Sequence, residues 1–90
     1  MNESIIEINV SELPAPEPLN RVLELLKVSK NDVVVCMVHR IKPCVLFDIL
    51  AERGYASKIT EVQNQFMIYI WHTSNDAALE IIEKDINRVR

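Results

Sequence analysis

The stretch DVVVCMVHRIKPCVLFDILAERG, residues 32–54, carries the pattern that decides the fold. Its first seven residues, Asp32 to Val38, are a continuous, largely β-branched apolar run bounded by polar residues. Such a run predicts a central strand, buried on both faces or nearly so. HRIKP breaks it. CVLFDILAER then reads as a helix, with Pro43 suited to the first helical position and Gly54 to the left-handed residue just past the end.

Working outward, residues 4–10, SIIEINV, are rich in isoleucine and predict a first strand. The corner SELPAPEP follows, with three of the chain's four prolines at positions 14, 16 and 18. Proline fits the first turn of a helix, where its missing N–H would be unpaired anyway, and damages a helix interior. The three prolines therefore mark a chain entering a helix along one fixed path. From Leu19 the apolar residues Leu19, Val22, Leu23, Leu25 and Leu26 recur at spacings of three and four, giving that helix about three turns. Ser29 to Asp32 close it.

Downstream, residues 55–62 and 65–72 are strand-like runs joined at Gln63 and Asn64, which predicts a hairpin without the usual Asn-Gly turn. In QFMIYIWH both alternating sets are apolar, so both faces of that strand need cover. Ser74 is a suitable N-cap for a last helix from about Asn75 to Val89, with Ala78, Ile82, Ile86 and Val89 on one stripe. The order β-α-β-α-β-β-α predicts one domain over residues 1–90, a two-layer α/β (α+β) sandwich with a four-stranded mixed sheet. Its core spans residues 4–72. The added helix, residues 74–89, either covers the other face of the sheet or serves a dimer.

With 49% hydrophobic and 26% charged residues, the composition is that of a soluble globular domain. A chain of 90 residues buries roughly 60 to 65% of its unfolded surface, so an uncovered sheet face would call for extra chain or a partner. A homodimer is therefore an open option. The net charge of −3, without a basic block, disfavours nucleic acid as the main partner. The opening MNESIIEINV has early acids and no long apolar run, so neither a signal peptide nor a membrane anchor is expected and the cytoplasm is the expected location. Cys36 and Cys44 are expected to be reduced thiols there.

If the first two units lie on one sheet, both helix starts fall at the carboxyl ends of their strands, where α/β sheets usually bind ligands. Helix starts favour anions, and His39, Arg40 and Lys42 add cations just before the second helix. The expected ligand-binding set is His39, Arg40 and Lys42, with Ala15 and Glu17 on the side of the first helix. The same residues also fit a solvated loop without a ligand. Cys44, in the first turn of the second helix beside these cations, is the one residue with a case for covalent chemistry. Its ordinary explanation is a small buried thiol. No catalytic residue is otherwise expected, and the chain reads as a non-enzymatic module.

Cys36, His39, Cys44 and His72 lack the paired short spacings of a zinc site. No cofactor is expected, although a metal held through His39 with fewer ligands stays open. Met67, Tyr69 and Trp71 alternate on one strand face and could stack bases or a cofactor. Packing under the last helix or against a second subunit explains them more simply. A single glycine argues against phosphate loops and dinucleotide fingerprints.

The segment Leu13, Pro14, Ala15, Pro16, Glu17 and Pro18 resembles the Leu-x-Cys-Pro-x-Pro motif of the TusA and SirA sulfur-carrier family, whose members share the β-α-β-α-β-β order. Ala15 stands where that family carries its sulfur on cysteine, so the family's persulfide chemistry does not carry over. The chain is more similar to a divergent, uncharacterised bacterial branch with Leu-Pro-x-Pro-Glu-Pro, His-x-x-Lys-Pro and Glu-Arg-Gly-(Tyr or Phe) segments. Here these are residues 13–18, then His39, Lys42 and Pro43, then Glu52 to Tyr55. The resemblance covers about residues 7–72. Domains of that branch sometimes occur beside hemerythrin-like domains. Cys44 departs from it, since that position is usually aliphatic there, and so does the helix after Thr73.

The resulting expectation is a ligand- or partner-binding module that uses the crevice between the two helix starts. Its ligand would be a small anion, a metal-bearing group or an acidic segment of a partner protein. The alternative is a sulfur or redox carrier that uses Cys44. A third option, RNA binding through similarity to the C-terminal domain of a bacterial translation initiation factor, is disfavoured by the acidic charge.

Overall fold

The computed structural model describes residues 5–89 of the chain. Its elements are β1 (Ile5–Asn9), α1 (Glu17–Val28), β2 (Val34–His39), α2 (Cys44–Glu52), β3 (Tyr55–Val62), β4 (Gln65–His72) and α3 (Ala78–Val89). Ser4, the expected first residue of the first strand, lies outside the described residues, as does the side chain of Val89. The strands form one mixed sheet in the order β1-β2-β4-β3. β1 runs parallel to β2, with Ile8 opposite Met37. β4 runs antiparallel to both β2 and β3, so that Met37, Ile68 and Ile59 form a row across the sheet. The carboxyl ends of β1, β2 and β3 therefore share one edge, from which α1, α2 and the β3–β4 hairpin all start.

All six residues of β2 are buried. Strand alternation sends Val35 and Met37 to one face, where they pack with Val22, Leu26, Leu46, Leu50, Ile68 and Ile70. Val34, Cys36 and Val38 point to the other face and meet Met67, Tyr69, Ala78 and Ile82. The sheet and the α1/α2 layer make the two-layer sandwich, and α3 covers the opposite face of its own sheet. The row of Met67, Tyr69 and Trp71 is the floor beneath α3, with Met67 and Tyr69 buried. It offers no open stacking platform.

Some boundaries differ from the sequence pattern for local reasons. β2 starts at Val34 because the Val33 N–H closes a turn onto the Lys30 carbonyl at 3.1 Å. It runs on to His39. α3 starts at Ala78, three residues later than expected. The Ser74 hydroxyl does not cap it and instead bonds His72 Nδ1 at 2.7 Å. Asn75 takes over at the approach, its Oδ1 accepting from the Ala77 N–H at 3.2 Å. In the hairpin, Gln63 and Asn64 both have positive φ, 51° and 67°, the pattern of a two-residue type I′ turn made without glycine.

Inside the apolar stripe of α3 lies a buried polar contact, in which the Tyr69 hydroxyl donates to Asp85 Oδ2 at 2.7 Å. A hydrogen bond to a charged group of this kind contributes about 1.5 to 3 kcal/mol. Tyr69→Phe, which keeps the ring, is expected to lower unfolding free energy by about 2 kcal/mol in urea denaturation. A loss below about 0.5 kcal/mol would show that the contact does not anchor α3.

Gly54 follows the end of α2 with φ +83°. A Cβ there would come no nearer than 3.8 Å to His72 Nε2, so space is available and the backbone alone sets the cost. Gly54→Ala is expected to cost about 1 to 2 kcal/mol in the same measurement.

Candidate functional site

At the shared sheet edge the chain makes two tight corners. After β1, the Leu13 N–H donates to the Val10 carbonyl at 3.1 Å and the Glu17 N–H to the Pro14 carbonyl at 3.0 Å, with a cis bond between Ala15 and Pro16. After β2, the Cys44 N–H donates to the Lys42 carbonyl and the Leu46 N–H to the Pro43 carbonyl, each at 3.0 Å. Neither α1 nor α2 has a side-chain cap at its start.

Between the two corners lies a cleft of about 430 Å³. All four prolines of the chain line it, together with Leu13, Ala15, Leu19, Ile41, Val45 and Leu46. The polar members are His39, Arg40 and Cys44. Ile41 and Val45 are about two-thirds exposed, at 64% and 66%, and so widen the apolar rim.

Three members of the expected ligand-binding set come together here, namely Ala15, His39 and Arg40. Two do not. Lys42 faces a separate depression with Ile59, Thr60, Glu61 and Phe66. Glu17 lies on the outer side of α1, where its carboxylate sits 3.6 Å from Arg21 Nε in an exposed pair. Cys44 is exposed at the cleft rather than packed as a buried thiol.

The electrostatics also differ from the sequence pattern. His39 ends the fully buried strand β2, and only 8% of it is exposed. Burial, and then the Arg40 guanidinium, hold its pKa below the ordinary value of 6.5. Its Nδ1 accepts the Arg40 backbone N–H at 3.0 Å, which fixes the neutral ring with the proton on Nε2. His39 is thus a neutral group at pH 7, and Arg40 carries the positive charge of the cleft. The helix starts contribute fewer donors than expected. Pro18 has no N–H, and those of Glu17, Cys44 and Leu46 are already bonded.

The four residues weighed as a zinc set are not gathered. Cys36 lies on the α3 face of the sheet, and His72 is at the end of β4 remote from His39, bonded to Ser74. Among the described residues no group of three or more His, Cys, Asp or Glu is placed to hold a metal ion. The aliphatic walls are what sequence reasoning missed. Their signal was present in Ile41 and Val45, two large aliphatic residues four apart across a helix start. Compared with known proteins, the chain matches no family model, no curated protein and no solved structure.

His39 provides a pH test. Its folded pKa lies below its unfolded value, so below about 6.5 the unfolded chain takes up a proton that the folded chain refuses. Stability is therefore expected to fall as pH drops from 6.5 towards the lower folded value. His39→Asn keeps an acceptor for the Arg40 N–H but cannot titrate, and should flatten that part of the stability profile. An unchanged slope in the variant would show that His39 is not its source.

Proposed function

We propose that the protein is a non-enzymatic binding module whose ligand or partner segment occupies the cleft between the starts of α1 and α2. The observation that carries this reading is a concave apolar site, walled by two proline-fixed corners, at the sheet edge where α/β folds usually bind. Kinship with the divergent TusA/SirA-like branch is part of the same proposal. It is supported by the β-α-β-α-β-β order and by the placement of residues 13–18 at the entry of α1. We also assign the protein to the cytoplasm, consistent with its two free cysteines. No helix among the described residues is long and apolar enough to cross a membrane.

A fragment screen read by amide NMR shifts tests the site. Saturable shifts are expected to concentrate in residues 13–19 and 39–46, and hits that cluster elsewhere would refute the assignment.

One observation favours a second reading, a sulfur or redox carrier. Cys44 is exposed at the first position of α2 and lines the cleft beside Arg40. The rate of alkylation by iodoacetamide at neutral pH decides it, since Cys36 is buried and the folded protein presents Cys44 alone. A rate no higher than that of glutathione removes the carrier reading.

A further inference from the structure

The inference drawn here rests on the cleft reading and concerns what the cleft takes. Among the described residues that line the cleft, Arg40 brings the only side-chain charge at neutral pH and none is acidic. The four prolines supply no N–H groups, and the neighbouring N–H groups of Glu17, Cys44 and Leu46 are bonded within their own corners. The cationic side chain that an anion entering the cleft meets is the Arg40 guanidinium, whose planar fork matches a carboxylate with two parallel hydrogen bonds.

The rest of the cleft is hydrocarbon. A polypeptide segment laid along it would bring backbone N–H and C=O groups that need partners, and proline and aliphatic side chains supply few. An aliphatic chain has no such groups to satisfy. The volume of about 430 Å³ also lies in the usual range of small-molecule sites, roughly 300 to 1,000 Å³. Arg40 itself is exposed, which places the charged end of a ligand at the mouth, in contact with water. We propose that the cleft binds a free aliphatic monocarboxylate, with its chain against Pro14, Pro16, Leu19 and Val45 and its carboxylate on Arg40.

The test is an amide NMR titration of the full chain with sodium butanoate, hexanoate and octanoate, and with 1-octanol, octylamine and sodium sulfate. Octanoate is expected to shift residues 13–19 and 39–46. Affinity should rise about four-fold for each methylene from butanoate to octanoate. Octylamine should bind at least roughly ten-fold more weakly than octanoate, and sulfate should give no saturable shift. Arg40→Ala, checked for an unchanged unfolding midpoint, should abolish the advantage of octanoate over octanol and leave octanol unaffected.

If octanol and octylamine bind in the cleft as tightly as octanoate, carboxylate recognition is overturned while the cleft reading stands. If a hexapeptide with leucine beside aspartate shifts the cleft amides and octanoate does not, the occupant is a protein segment and the proposal fails. The proposal also fails if no probe shifts the cleft amides. Saturable shifts in another region would overturn the proposal and the cleft reading together.

Discussion

The structure depends on β2 being buried on both faces. Six consecutive buried residues require cover from two sides, and the chain supplies it with α1 and α2 on one side and α3 on the other. Removing that much apolar surface from water is the main favourable term available to a 90-residue chain. The same burial sets the chemistry of the site. His39 is the last residue of β2, so the fold withdraws it from water and leaves it neutral, while Arg40, one position later, emerges at the cleft. One step along the chain separates a group that the core keeps uncharged from the group that charges the site.

The parallel pairing of β1 with β2 is the second constraint. It brings the ends of both strands to one edge, so each must be followed by a corner and a helix start at the same place. Proline at these corners fixes the path and removes backbone donors. The result is a cleft whose walls are mostly hydrocarbon. The prolines thus do more than aim α1, because they line the space between the helices with apolar surface.

Much of the fold is legible in the sequence because its signals are local. β3 and β4 have the bounds that alternation implies, and α2 ends where Gly54 provides the left-handed residue. The start of α3 is less legible, since Ser74 had two bonding options and the nearby His72 ring took it. Asp85 interrupts an apolar stripe for a reason that lies 16 residues away, in the hydroxyl of Tyr69. The position of the site follows from strand direction, but its membership does not. Lys42 and Glu17 are near the cleft in sequence and turn away from it in space, and the charge of His39 depends on burial that spacing alone does not reveal.

The proposed site is the space between the two proline-fixed corners. Ala15 lines that space and is exposed, so a large side chain there can fill it without entering the core. The most direct measurement is the calorimetric affinity of Ala15→Trp for sodium octanoate, made beside its unfolding midpoint. If the space is the site, the midpoint stays close to that of the natural chain and the affinity falls by at least roughly ten-fold. A folded Ala15→Trp that binds octanoate as tightly as the natural chain would contradict that assignment.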